Sequence, residues 1–131
     1  MSVFVDASVL VAILAREPDS QAWLDQLSQT AGLMTSPIAI WEAVRATARV
    51  LETSTDAAHA QLLVLLNAFG VRTVEIGSMD AVEALRAHQV YGKGNHPAKL
   101  NMGDCFTYAC ARTNNATLLY KGDDFALTDL A

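Results

Sequence analysis

The sequence predicts one α/β domain built on a mostly parallel sheet, and three observations carry that prediction. Short β-prone runs alternate with longer segments whose apolar residues recur at helical spacing. Acidic residues stand directly after the first and last of those runs, at the carboxyl ends of strands, where sites form in sheets of this class. The 131 residues suffice for one hydrophobic core and are too few for two, so residues 1–131 read as a single domain.

The first strand is the run Val3, Phe4 and Val5, which ends at Asp6 and leads into the helical stretch "SVLVAILARE". Pro18 is placed to start a second helix, with Trp23 and Leu27 four apart on its inner face. "GLMTS" (32–36) forms a second short strand. Ser36 is then a good N-cap with Pro37 at the first helical position. The helix that follows carries Pro37, Trp41, Val44, Ala48 and Leu51 at core spacing. Residues 56–69 form an apolar helix whose stripe Ala58, Leu62, Leu65, Leu66 and Phe69 reads most simply as core; an exposed part of it would suit a partner. "VRTVEI" (71–76) forms a third strand, and Ser78 caps a helix running to Tyr91. Gly, Pro and Asn make 92–101 a loop, followed by a helix from about Met102 to Asn114 and a strand from Thr117 to Tyr120.

Composition narrows the function. Hydrophobic residues make up 52% and charged residues 18%, which suits a folded globular chain. Apolar runs such as "VLVAIL" and "LLVLL" fall far short of the ~18 residues of a membrane span. "MSVFVDAS" has no basic start before an apolar stretch, so the expectation is a cytoplasmic protein without a signal peptide or a membrane partner. Cys105 and Cys110 lie about 7.5 Å apart along a helix axis and point apart around it, which predicts reduced thiols. A net charge of −5 excludes a simple basic surface that grips nucleic acid, but acids gathered around divalent cations would invert the local sign.

Five acids are candidates for such a pocket. Asp6 serves equally well as an N-cap or as a ligand, with Ser8 placed to bond and orient it. Glu42 lies inside the third helix on the stripe of Ile38, Arg45 and Arg49. It reads either as a surface pair with Arg45 or as a source of metal oxygens, with the arginines meeting phosphates or a partner's carboxylate. Asp104 opens an otherwise apolar helix, after Asn101 and Gly103 turn the chain tightly into it; a carboxylate there needs a partner. Asp123 and Asp124 follow the last strand as a Gly-Asp-Asp turn, while Asp129 reads as plain surface. Clustered carboxylates do not all stay ionised at neutral pH without cations. Oxygen ligands alone select Mg²⁺ or Mn²⁺, and such a site suits phosphodiester hydrolysis in which one ion activates water and a second, if bound, steadies the leaving oxygen.

The ordered set "VDAS", helical Glu42, "LNMGDCFTYACA" and "LLYKGDDFALTDL" resembles the PIN-domain ribonucleases, and more narrowly the VapC toxins of VapBC toxin–antitoxin pairs. "YGKGNHPAKLNMGDCF" resembles one VapC subgroup. The resemblance implies a PIN-like three-layer α/β/α sandwich and carries the acidic positions onto Asp6, Glu42, Asp104 and the Asp123/Asp124 pair. The family motif of Gly, a variable polar residue and Asp-Phe makes Asp124 the closer match, with Asp123 at the variable position. It also implies Mg²⁺ or Mn²⁺ as cofactor, structured RNA such as tRNA or rRNA as substrate, a homodimer, and a VapB-type antitoxin that inhibits the toxin and itself contacts operator DNA. Asp6 and Asp104 would be primary metal ligands, and Glu42 and Asp124 further ligands or a base.

Two other readings stand beside it. A catalytically quiet PIN-like module would act through a DNA-binding partner, though retention of every acid counts against that. An aspartyl phosphotransfer domain lacks its DxD pattern in the first strand and its strand-end lysine. His59, His88 and His96 lack the short regular spacing of zinc ligands. Lys93, His96 and Lys99 form a loop that is solvated or touches RNA phosphates at a rim.

Overall fold

A computed structural model describes the chain over residues 1–131. Four strands and six helices follow one another as β1 (Ser2–Val5), α1 (Ala7–Leu14), α2 (Ser20–Ser28), β2 (Leu33–Thr35), α3 (Pro37–Leu51), α4 (Thr55–Ala68), β3 (Arg72–Thr73), α5 (Ser78–Tyr91), α6 (Met102–Thr113) and β4 (Ala116–Leu119). The sheet order is β3-β2-β1-β4 with every pairing parallel, so all four strands end on one side of the molecule. Helices flank this sheet in the α/β arrangement expected from the alternating pattern.

Local chemistry sets most boundaries. Ser36 accepts the Ala39 N–H at 3.1 Å and Pro37 sits at the first helical position, so α3 begins where the sequence marks it. Ser54 caps α4 through the Ala57 N–H at 3.0 Å. Four expectations shift. Pro18 lies in the turn before α2, which starts at Ser20 after Asp19. Gly77, not Ser78, is the N-cap of α5, and Asp80 reaches back to accept the Gly77 N–H at 2.8 Å. The third strand shrinks to Arg72 and Thr73, because β2 spans only three residues before Ser36 turns the chain into α3, and an edge strand pairs only where its neighbour runs. Of the residues expected in the core, Pro37, Trp41 and Leu51 are exposed, the last two by 56% and 39%; α3 buries Val44 and Ala48 as expected, together with Ala39, Ala43 and Thr47.

The core divides in two. The larger part joins β1 and β2 to α1–α4 and takes in Phe4, Leu10, Leu27, Met34 and Leu62, together with Cys110 of α6. In α4 the stripe Ala58, Leu62, Leu65 and Leu66 is buried as expected. The smaller part gathers Ala84 and Ala87 of α5, Cys105, Tyr108 and Ala109 of α6, Leu100 and Phe125. Both cysteines are buried and free. Asp129 is exposed as expected, and it also accepts the Tyr108 hydroxyl at 2.6 Å and pairs with Arg112 at 3.4 Å, fastening the C-terminal turns onto α6.

Phe125 is fully buried one residue after Asp124 and anchors the turn that carries it. Phe125→Ala is expected to lower stability by about 3–5 kcal/mol, the usual cost of emptying a buried aromatic site, measured by urea unfolding.

Candidate active site

The carboxyl ends of the strands open onto a cleft of about 630 Å³, lined among others by Asp6, Ser8, Glu42, Asp104 and Asp124. Asp123, exposed beside it, is not in the lining. The structure thus brings four of the five predicted acids to one place and leaves the fifth outside. Lys93, His96 and Lys99 do not reach the cleft either.

Each acid arrives on its own element. Asp6 ends β1 and caps α1; its Oδ2 accepts the Ser8 N–H at 3.0 Å and the Ser8 hydroxyl at 2.6 Å. The Ser8 oxygen in turn accepts the Lys121 N–H at 2.9 Å, which ties the chain leaving β4 to the start of α1. Asp104 is the third residue of α6, where Asn101 accepts its N–H at 2.9 Å and its own Oδ2 accepts the Asn101 N–H at 3.1 Å. Asp6 and Asp104 therefore stand at two helix N-termini, whose positive ends favour negative charge. Glu42 projects from the second turn of α3 onto Gly103. A Cβ on Gly103 would fall within 2.6 Å of all three carboxyl atoms of Glu42, so only glycine leaves that carboxyl its place. This is a different role from the tight turn expected of Gly103; the left-handed residue before α6 is Lys99, with φ 54°. Asp124 rides on a turn that Gly122 opens with φ +94°, a backbone region that suits glycine.

Sequence reasoning passed over several members. Lys121 bonds Asp19 at 2.9 Å and Glu17 at 3.3 Å, clamping the last turn to the segment after α1. Glu17 and Lys121 both line the cleft. Their separation of 104 residues offers no local signal; the "KGDDF" run was the one cue, and it drew attention to its acids. Arg45 makes no pair with Glu42 and lies over the Trp41 ring, 4.7 Å from its centroid.

The electrostatics follow from crowding. Burial, then the charges of Asp6, Asp104 and Asp124, push the Glu42 carboxyl from its ordinary 4.5 up to about 7. Burial, joined by Asp124 and Asp6, raises Asp104 from 3.8 to about 6 against the opposing bond from Asn101. No three His, Cys, Asp or Glu side chains stand close enough to form a ready-made metal cluster. The donor set nonetheless fits a hard divalent cation: it is all oxygen, shares one cleft, and consists of like charges that a cation would relieve. Asp6 and Asp104 each commit Oδ2 to hydrogen bonding and keep Oδ1 free, while the Glu42 and Asp124 carboxyls make no hydrogen bond within the chain.

The PIN-domain family model matches residues 3–130, and the chain belongs to that family. Within it, the curated relatives are VapC ribonucleases. The chain is 42% identical to a VapC ribonuclease of Rhizobium meliloti (strain 1021), covering 97% of this chain and 98% of that protein. It is 37% identical to ribonuclease VapC of Mycolicibacterium smegmatis, covering 97% and 96%, and 35% identical to ribonuclease VapC30 of Mycobacterium tuberculosis, covering 97% and 95%. In fold it is similar to the crystal structure of Mycobacterium tuberculosis VapC20, a sarcin-ricin loop cleaving toxin, with a TM-score of 0.74 over 95% of this chain and 93% of that one at 16% identity.

Two outcomes are expected from the crowded acids. The folded chain holds protons on Glu42 and Asp104 more tightly than the unfolded chain does, so their contribution to stability falls as pH rises from about 4 to about 7. Glu42→Gln should flatten that fall, read from urea midpoints across the range. Gly103→Ala should displace the Glu42 carboxyl and return its titration towards the ordinary range, followed by ¹³C carboxyl shifts.

Proposed function

We propose that this chain is a metal-dependent endoribonuclease toxin that hydrolyses phosphodiester bonds in structured RNA, tRNA or rRNA, and is neutralised by a VapB-type antitoxin. One observation carries the reading: four carboxyls from four separate elements line one cleft, and two of them are driven well above their ordinary pKa by burial and mutual repulsion. A cleft so costly to assemble serves cation binding better than it serves folding. The names of the VapC relatives support RNA as substrate and the toxin role.

Asp6 and Asp104, fixed by hydrogen bonds, would hold Mg²⁺ or Mn²⁺ through their free oxygens, and Glu42 and Asp124 would close on it from the sides. Bound there, the ion supplies charge neutralisation at the scissile phosphate and an acidified water. Ser8 keeps Asp6 in one rotamer by donating to Oδ2. Glu42, on the α3 wall of the same cleft, would serve either as a further ligand or as the base that takes a proton from attacking water. Asp123 stays outside this set. In this reading the protein works as a homodimer in the cytoplasm, and operator DNA is contacted only through the antitoxin.

Asp6→Asn keeps a good N-cap and therefore the fold. It is expected to cut RNA cleavage by roughly a hundredfold or more, the scale on which disturbed metal sites lose activity. Asp123→Asn should cut at close to the parent rate. Cleavage of RNA measured with Mg²⁺, with Mn²⁺ and with excess EDTA checks the proposal; equal cleavage in EDTA would sink it.

A further inference from the structure

The wall of the cleft formed by α3 carries two arginines without a carboxylate partner. Arg45 and Arg49 are exposed, line the cleft, and lie beyond 4 Å of any carboxylate, whereas Lys121 opposite is paired twice. They stand one helical turn apart, about 6 Å along the axis. Beside them Trp41, immediately before Glu42, is 56% exposed, its indole N–H unbonded and its ring covered on one side by the Arg45 guanidinium. A large aromatic left this open on a helix that buries its small residues contributes little to the fold and needs another reason.

Trp41 and Arg45 also border a second cavity of about 400 Å³ between α3 and α4, lined by Pro37, Ile40 and Val44 and by Thr55, Asp56 and His59 at the start of α4. The indole is thus the partition between a charged cleft and a half-apolar groove. A flat heteroaromatic ring with attached phosphates matches that division, because every base offers a π-face and every linkage a negative charge. An apolar peptide in the groove would leave both guanidiniums unpaired.

Resting on the nuclease reading above, we propose that Trp41 is a base-stacking platform for single-stranded RNA. The base beside the phosphate held in the carboxylate cleft stacks on the indole in the α3–α4 groove, and Arg45 and Arg49 take the flanking phosphates. The platform positions the strand and favours an unpaired stretch, since a base stacked within a duplex offers no free face.

The chain contains one other tryptophan, Trp23, so Trp23→Phe leaves Trp41 as the sole tryptophan, whose emission is excited selectively over that of the three tyrosines. In that background, with Asp6→Asn to prevent cleavage and Mg²⁺ present, a mixed-sequence single-stranded oligoribonucleotide is expected to quench the emission saturably. An abasic oligomer of equal length should bind about tenfold more weakly or worse. Trp41→Ala, followed by anisotropy of the labelled oligomer, should weaken binding about tenfold or more, while Trp41→Phe keeps most of it. In cleavage the Trp41→Ala loss should fall on KM rather than kcat. Trp41→Ala binding RNA as tightly as the parent, or the abasic oligomer binding as tightly as the intact one, overturns the platform. If the parent cleaves RNA and Trp41→Ala cleaves it with the same KM, the platform falls and the nuclease reading stands. If the parent cleaves nothing yet quenching depends on bases and on Trp41, the nuclease reading falls and the platform stands.

Discussion

The pairing of β1 with β4, in register from Ser2 opposite Ala116 to Val5 opposite Leu119, decides where every other part of the cleft has to go. Parallel strands finish together, so the end of β1 and the end of β4 lie side by side although more than 110 residues separate them. The Asp6 N–H extends the ladder by one bond, to the Leu119 carbonyl at 2.9 Å. The Ser8 hydroxyl then continues the contact past the sheet by donating to Asp6 and accepting from Lys121. One small side chain thereby sets the spacing between the first metal-binding candidate and the turn that bears the last.

Around that junction the fold assembles charges that oppose one another. Burial and repulsion would expel ionised carboxyls from such a place, and two of the four respond by holding protons up to nearly neutral pH. What offsets the cost is local: helix N-termini under Asp6 and Asp104, a backbone donor on one oxygen of each with the Ser8 hydroxyl added at Asp6, and the missing side chain of Gly103 under Glu42. These devices orient the carboxyls without neutralising them. Strain retained in this way at one cleft, on an otherwise conventional sheet, is how folds reserve a place for a ligand they do not themselves supply.

Much of this was legible in the chain because it is written in short-range chemistry. Asp6 after an apolar run, Ser36 before Pro37, and Asn101 three residues before Asp104 are cap signals, and caps act within one turn. The choice of Asp124 over Asp123 came from motif resemblance, and the turn geometry sends Asp124 alone into the cleft lining. Trp41 was misplaced because helical spacing finds a stripe without saying which stripe faces the sheet; small residues, Ala39, Ala43 and Ala48, took the close-packed side. Gly103 was read as a turn because its partner, Glu42, is 61 residues away. Asp129 and the Lys121 clamp depend on long-range approach for the same reason, and no window of sequence holds both ends of either.

The division of the core runs beneath the cleft. Asp6 and Glu42 follow or precede residues of the larger cluster, Val5 and Ala43, while Asp104 and Asp124 adjoin Cys105 and Phe125 of the smaller one. The cleft therefore straddles a seam, and each side supplies half of its carboxyls. α6 reaches across that seam: Cys105, Tyr108 and Ala109 belong to the smaller cluster, Cys110 and Ala111 to the larger, so the helix whose first turn carries Asp104 is held from both sides. Competence at the cleft consequently depends on two cores sharing one helix, and a change of packing on either side bears on the spacing of the four carboxyls.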